Sequence, residues 1–81
     1  MRSTREMRKL ASVLLAGTAE SRFKGEDLRR AAQLHSTRLY PLLTRLLQRG
    51  WLTEGWDDDS SVDAHRYYVL TDVGRRELAR P

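Results

Sequence analysis

The chain has 81 residues, 40% hydrophobic and 32% charged, with a formal net charge of +4 and no cysteine. That length allows one small domain, residues 1–81, whose core is only just large enough to fold without staples, and the missing cysteines exclude disulfides and thiolate metal sites. With no secretory leader and no apolar run approaching the ~20 residues that span a bilayer, the sequence predicts a soluble, cytoplasmic protein with no membrane partner.

Ser3 and Glu6 have the spacing of a capping box, and Met7, Leu10, Ala11 and Leu14 then recur at helical spacing, with Val13 and Leu15 widening the stripe. A first helix is predicted to follow Ser3 and to end at Gly17. Residues 18–24 read as a polar connection that Phe23 anchors to the core. A second, short helix opens at Gly25 and runs to about Leu34. It is acidic at its start through Glu26 and Asp27, as the helix dipole prefers, with Leu28, Ala31, Ala32 and Leu34 apolar and Arg29 and Arg30 outside. His35 and Ser36 form a tight turn, and either Ser36 or Thr37 caps the next helix.

The third helix, residues 36–49, is the most informative segment. At about 100° per residue, Leu39, Leu42, Leu43, Leu46 and Leu47 gather on one side, while Thr37, Pro41, Thr44, Arg45 and Gln48 gather opposite, flanked by Arg38 and Tyr40. The leucine side needs a core. The other side carries groups that hydrogen-bond base edges and phosphates, as the second helix of a helix-turn-helix does. Any surface helix of a basic protein also turns Arg and Gln outward, so the pattern takes its meaning from the order of elements around it. Pro41 removes one backbone bond, and the first turn is either bent or begins as a 3₁₀ turn.

Gly50 ends this helix, and Trp51 to Trp56 predicts a strand. Asp57, Asp58, Asp59 and Asp63 then make a loop dense in like charges, and His65 to Leu70, rich in Tyr and Val, forms a second strand. Thr71 and Asp72 cap a last short helix carrying Val73 and Leu78, with Arg75, Arg76 and Arg80 toward its carboxyl end. Three helices, a two-stranded β-hairpin and a short C-terminal helix make an α+β chain on the winged helix-turn-helix plan, with the hairpin as wing. A bare helical bundle fits less well, because Arg66 to Leu70 is strongly β-favouring and lacks helical periodicity.

Charge is distributed unevenly along this plan. Residues 1–50 hold 11 Lys and Arg against 4 Asp and Glu, a net +7, while residues 51–81 hold 4 against 7, a net −3. The amino-terminal helices therefore suit a polyanionic partner. Thirteen of the fifteen basic residues are Arg, which favours bidentate contacts to phosphate or guanine.

Catalysis has little support: there is no phosphate-binding glycine loop and no nucleophile with an evident base, so neither an enzyme nor a cofactor is expected. His35 and His65 read as turn and strand-end residues rather than a metal pair. The Asp57, Asp58, Asp59 run lacks the glycine and distal glutamate of a calcium loop. Trp51 and Trp56 are expected to cover the core. Tyr67 and Tyr68 point to opposite faces of the hairpin, one buried and one partly exposed, and Tyr40 can set its hydroxyl on a phosphate.

Taken in order, Leu39, Tyr40, Pro41, Leu42 and Leu43, then Gly50, Trp51 and Leu52, then Arg66 through Thr71 with Gly74 and Arg75, resemble the PadR-like transcriptional regulators. The likeness extends from about Leu10 to Leu78, and is looser over the segment from Phe23 to Leu28. It implies a winged-helix DNA-binding domain, usually acting as a dimeric repressor on a palindromic operator. By matching positions it implies that Ser36, Thr37, Tyr40 and Arg45 lie on the DNA-facing helix and Arg66 at the base of the wing. Family members generally carry a further C-terminal helical region, and this sequence reads as a short form without it. A homodimer is then expected to form through the first or the last helix. The acidic wing departs from a family pattern that is often basic or glycine-rich, and phosphates would repel it. The sequence thus predicts a double-stranded-DNA-binding regulator that uses Ser36, Thr37, Arg38, Tyr40, Pro41, Thr44, Arg45, Gln48 and Arg66. The alternative is a winged-helix module that presents its acidic wing to a basic protein. No effector follows from the sequence.

Overall fold

A computed structural model of the chain describes residues 4–56 and 66–80. Among the described residues the order is α1 (Arg5–Leu15), β1 (Phe23–Lys24), α2 (Gly25–Ala32), α3 (Ser36–Gln48), β2 (Leu52–Trp56), β3 (Arg66–Leu70) and α4 (Asp72–Ala79). The strands form one antiparallel sheet in the order β1-β3-β2. This is the expected α+β winged helix, with a third strand added to the predicted pair. The acidic hairpin tip, with Asp57, Asp58, Asp59, Asp63 and His65, lies outside the described residues, as does Ser3.

The core is a leucine cluster with one tyrosine. Leu10 and Leu14 from α1, Leu28 from α2, Leu39, Leu43 and Leu46 from α3, Leu52 from β2 and Tyr68 from β3 are fully buried. α1 and α3 therefore contribute the stripes their periodicity marks out, and truncating any one of these leucines to alanine would cost about 2–5 kcal/mol. Leu42 and Leu47 sit at the edge of the cluster, half-buried. Ala31, expected on the apolar side of α2, is exposed, and so is Val73 on α4.

The ends of the helices depart from the sequence expectation in specific ways. Thr4, not Ser3, caps α1, its hydroxyl accepting from the Met7 N–H at 3.1 Å. At the end of that helix, Gly17 is needed for space rather than for a left-handed backbone, since a Cβ there would press on Phe23 and Ser21. Instead of running to Leu34, α2 stops at Ala32, because Gln33 turns left-handed at φ 56°. The N–H groups of Gln33 and Leu34 then bond back to the carbonyls of Arg30 and Arg29, the doubly bonded stop usually built on glycine. The same stop ends α3, this time with Gly50 at φ 74° and bonds from Gly50 to Leu47 and from Trp51 to Leu46.

Two contacts lock α4 beneath this frame. Thr71 caps the helix by accepting from the Gly74 N–H at 2.9 Å, and its own N–H donates to the Trp51 carbonyl at 3.0 Å. Gly74 is buried against that same carbonyl, where a Cβ would collide. Arg75 then reaches across to the end of α1, donating to the carbonyls of Leu15 and Gly17 at 3.4 and 3.1 Å. Unpaired carbonyls at a helix C-terminus carry partial negative charge, so a guanidinium there satisfies both hydrogen bonding and the dipole.

Candidate nucleic-acid interface

The outward side of α3 is continuous. Thr37, Arg38, Tyr40, Pro41, Thr44, Arg45 and Gln48 are all exposed, and Ser36 is half-buried. From Thr37 to Gln48 the row is about 16 Å long at 1.5 Å per residue. Leu39, Leu43 and Leu46 hold the opposite side in the core, so the helix cannot roll its polar row out of position without exposing leucine.

The start of α3 is set by His35 rather than by Ser36 or Thr37. The Thr37 N–H points at His35 Nδ1 at 3.3 Å, and the Thr37 hydroxyl lies 2.9 Å from the same nitrogen. Nδ1 thus acts as the acceptor of the cap. The first turn is α-helical with one tighter bond, since the His35 carbonyl accepts from both Arg38 and Leu39, at 2.9 and 3.0 Å. Pro41 stands inside an unbroken helix; it leaves the Thr37 carbonyl without its usual donor.

Charge on this surface is selectively available. Arg29 and Arg30 are tied to Glu26, at 2.7 and 3.4 Å, and these guanidiniums hold the Glu26 carboxyl below the usual carboxylate range. Arg80 pairs with Glu77 at 3.3 Å. Among the described residues, Arg38 and Arg45 have no acidic partner. Tyr40, 46% exposed, rests its hydroxyl against Gly25 at the start of α2, where a Cβ would come within 2.7 Å of it.

The hairpin joins this surface beside Tyr40. Arg66 forms an ion pair with Glu54 on the neighbouring strand, and its guanidinium carbon lies 5.0 Å over the Tyr68 ring. Burial pushes the Tyr68 phenol above its ordinary pKa, with Arg66 opposing the shift. Tyr68 is buried and Tyr67 only partly so, with Arg22 4.7 Å over the Tyr67 ring; the expected division between the two faces holds. Trp51 packs on the core, with Arg49 5.4 Å over its ring. Trp56 does not cover the core: it is 59% exposed, because β2 runs on past the last core residue.

The profile of the transcriptional regulator PadR-like family matches residues 24–80. This chain belongs to that family. The PadR-like match takes in the helix-turn-helix pair, β2, β3 and α4 and begins at the second residue of β1, while α1 precedes it. A PadR family transcriptional regulator from Eggerthella lenta is 30% identical and superposes with a TM-score of 0.72, over 91% of this chain and 68% of that one. A PadR-like transcription factor from Bacteroides fragilis is 28% identical with a TM-score of 0.67, over 91% and 75%. A MepR variant from a multidrug-resistant S. aureus clinical isolate shares the fold at 19% identity, with a TM-score of 0.74 over 93% of this chain. The chain spans about half, 52%, of that protein's length. No curated protein matches the sequence. None of the described helices is long and apolar enough to cross a membrane.

Missing from the sequence-derived surface were the His35 cap, Gln33, Glu54 and the exposed Trp56. Only Glu54 left a signal, since an acid on β2 two residues short of Trp56 can reach a basic residue diagonally across the hairpin.

Proposed function

We propose that this chain is a sequence-specific, double-stranded-DNA-binding transcriptional regulator, a repressor, that lays α3 in the major groove. Residues 1–81 serve as one cytoplasmic winged-helix DNA-binding domain. The observation that carries this reading is the exposed polar row on α3, in which Arg38 and Arg45 have no acidic partner among the described residues while the leucine side is locked in the core. Thr37, Pro41, Thr44, Arg45 and Gln48 enter the groove; Ser36, Arg38 and Tyr40 hold the backbone near the start of the helix. The Thr37 hydroxyl, which can donate or accept, meets a base edge in the groove. Arg66 touches the backbone at the root of the wing only by exchanging Glu54 for a phosphate.

A single module of this size buries too little surface for useful specificity, so two copies occupy paired half-sites one helical turn apart, about 34–36 Å. The available dimer surface is a groove of about 710 Å³ between α1 and α4, floored by Met7, Ala11, Leu15, Leu78 and Trp51.

Selection of bound fragments from a genomic library tests the reading, followed by titration of the selected duplex at several salt concentrations. Salt-sensitive binding that disappears when Arg38 and Arg45 are both replaced supports it. Arg45→Ala alone is expected to lose about 1–3 kcal/mol of discrimination at one base pair; uniform weakening on every sequence would make it a phosphate contact instead. Failure to shift any duplex at low salt, alongside a stoichiometric protein complex, would replace this reading with a protein-binding role for the acidic wing.

A further inference from the structure

His35 joins α2 to α3 between two buried leucines. Leu34 before it and Leu39 one turn beyond are both held in the core, so the extended backbone of His35, at φ −68° and ψ 148°, cannot shift without disturbing them. From there it serves the donors of the first turn: its carbonyl accepts from the Arg38 and Leu39 N–H groups, at 2.9 and 3.0 Å, and its Nδ1 from the Thr37 N–H at 3.3 Å. Pro41 takes away the usual donor to the Thr37 carbonyl. Among the described residues, the imidazole is therefore what ties the Thr37 backbone into the helix.

A histidine cap differs from a serine or threonine cap in one chemical respect: its acceptor is basic. Neutral imidazole keeps a lone pair on one nitrogen, whereas imidazolium is a donor at both, so a proton taken up at Nδ1 occupies the lone pair that the Thr37 N–H needs. The new Nδ1–H has an acceptor 2.9 Å away in the Thr37 hydroxyl, and the backbone N–H is left with none. A cation at this end of a helix also opposes the dipole. The ring is exposed, so bulk pH reaches it, and imidazole ordinarily changes charge between about pH 5 and 8. The charged side chains on the elements that meet here are Arg38 on α3, Glu26, Asp27, Arg29 and Arg30 on α2, Glu6 on α1 and, lining a cavity with Gln33, Arg5, Arg8 and Lys9 of α1. Carboxylates ordinarily titrate near about pH 4 and Lys and Arg above about pH 10, and none of these side chains bonds the ring.

We infer that His35 is a positioning residue for the DNA-reading row of α3 and makes its grip pH-sensitive: the neutral ring holds Thr37 and the first turn in place, and protonation lets them go. This rests on the DNA-reading role of α3. Leu39, Leu43 and Leu46 keep the rest of the helix seated, so the change is confined to the turn that carries Ser36, Thr37 and Arg38, which has to be re-ordered each time the protein binds. The sign of the pH effect separates a cap from a phosphate contact. An imidazolium touching phosphate tightens binding in acid, whereas a cap that is lost in acid weakens it.

The test uses the full chain with His65→Gln, which leaves His35 as the sole histidine. Anisotropy of a labelled duplex recovered by genomic selection follows binding from about pH 8 down to about pH 5.5, at about 0.15 M salt to screen a diffuse charge effect. Affinity is expected to fall about fivefold across that range. His35→Ser, whose hydroxyl accepts at either pH, is expected to bind as tightly at the upper pH and to show no such fall, while His35→Ala is weakened about fivefold throughout. In the free protein, the Thr37 amide resonance is expected to shift with the same midpoint as the His35 ring protons. A Thr37 amide that ignores the ring's titration, tighter binding in acid, or an equal fall in His35→Ser overturns the switch while leaving the α3 reading intact. No anisotropy change with any selected duplex at either pH removes the α3 reading and this role of His35 together, even where the amide follows the ring.

Discussion

Gln33 holds the turn between α2 and α3 in a backbone region where a side chain costs about 1–2 kcal/mol and glycine nothing. Gln33 is also exposed, so its side chain gives nothing back through core packing. Gln33→Gly recovers that strain but loosens the unfolded chain by about 0.4–1 kcal/mol. A net gain of about 0.5 kcal/mol is therefore expected, read as a small rise in Tm with DNA affinity unchanged. A lower Tm would mean that the exposed amide makes a stabilising contact after all. The same scale explains why sequence reading missed the α3 cap. Serine and threonine are the common capping residues, and two of them follow His35 directly; the imidazole takes the role because its Nδ1 lies within reach of the Thr37 N–H.

Within the hairpin, Glu54 decides what Arg66 can do. Both partners are well exposed, with side chains 39% and 41% accessible for Arg66 and Glu54, so the pair adds little to stability. Its effect is to occupy the one described cation on β3. Glu54→Gln is expected to leave Tm nearly unchanged, to tighten DNA binding about tenfold at low salt and to steepen the salt dependence by about one released counterion. Unchanged affinity and slope would show that Arg66 stays on Tyr68 and never meets the duplex. The strands themselves show how far pattern extends. Arg66–Leu70 is recognisable as β-structure from its aromatic and branched residues, whereas Phe23–Lys24 has no pattern of its own. Those two residues become β1 only because the free edge of β3 offers hydrogen bonds to Tyr67 and Tyr68.

For the molecule as a whole, the proposed dimer depends on the groove between α1 and α4, whose apolar floor stays partly open to water. Leu15 and Leu78 are half-buried there, so a charge can be introduced without filling the core. Leu15→Glu is expected to sediment as a monomer and to lose cooperative binding to paired half-sites, while retaining weak binding to a single half-site. A Leu15→Glu chain that remains dimeric would move the interface elsewhere. The unequal halves of the sequence also acquire meaning at this scale: the net +7 of residues 1–50 includes the exposed guanidiniums of α3, and the net-negative half takes in β2 with its Glu54.

Periodicity was enough to specify which sides of α1 and α3 are buried, because a 3.6-residue repeat places Leu39, Leu43 and Leu46 on one side whatever they pack against. The ordered motifs from Leu39 to Arg75 likewise carried the family likeness that the match over residues 24–80 bears out. Where the core stops could not be read this way. Trp56 and Val73 belong to the right elements and still face water, because the hairpin register carries one beyond Leu52. Close approach of Gly74 to the Trp51 carbonyl presents that glycine, not Val73 beside it, to the core. The pairing of Arg66 was equally a tertiary outcome, unlike the local pairs within α2 and at the end of α4. Arg66 and Arg45 look alike in sequence, yet only Arg66 has a carboxylate brought against it, by strands whose alignment is settled when the whole sheet closes on the leucines.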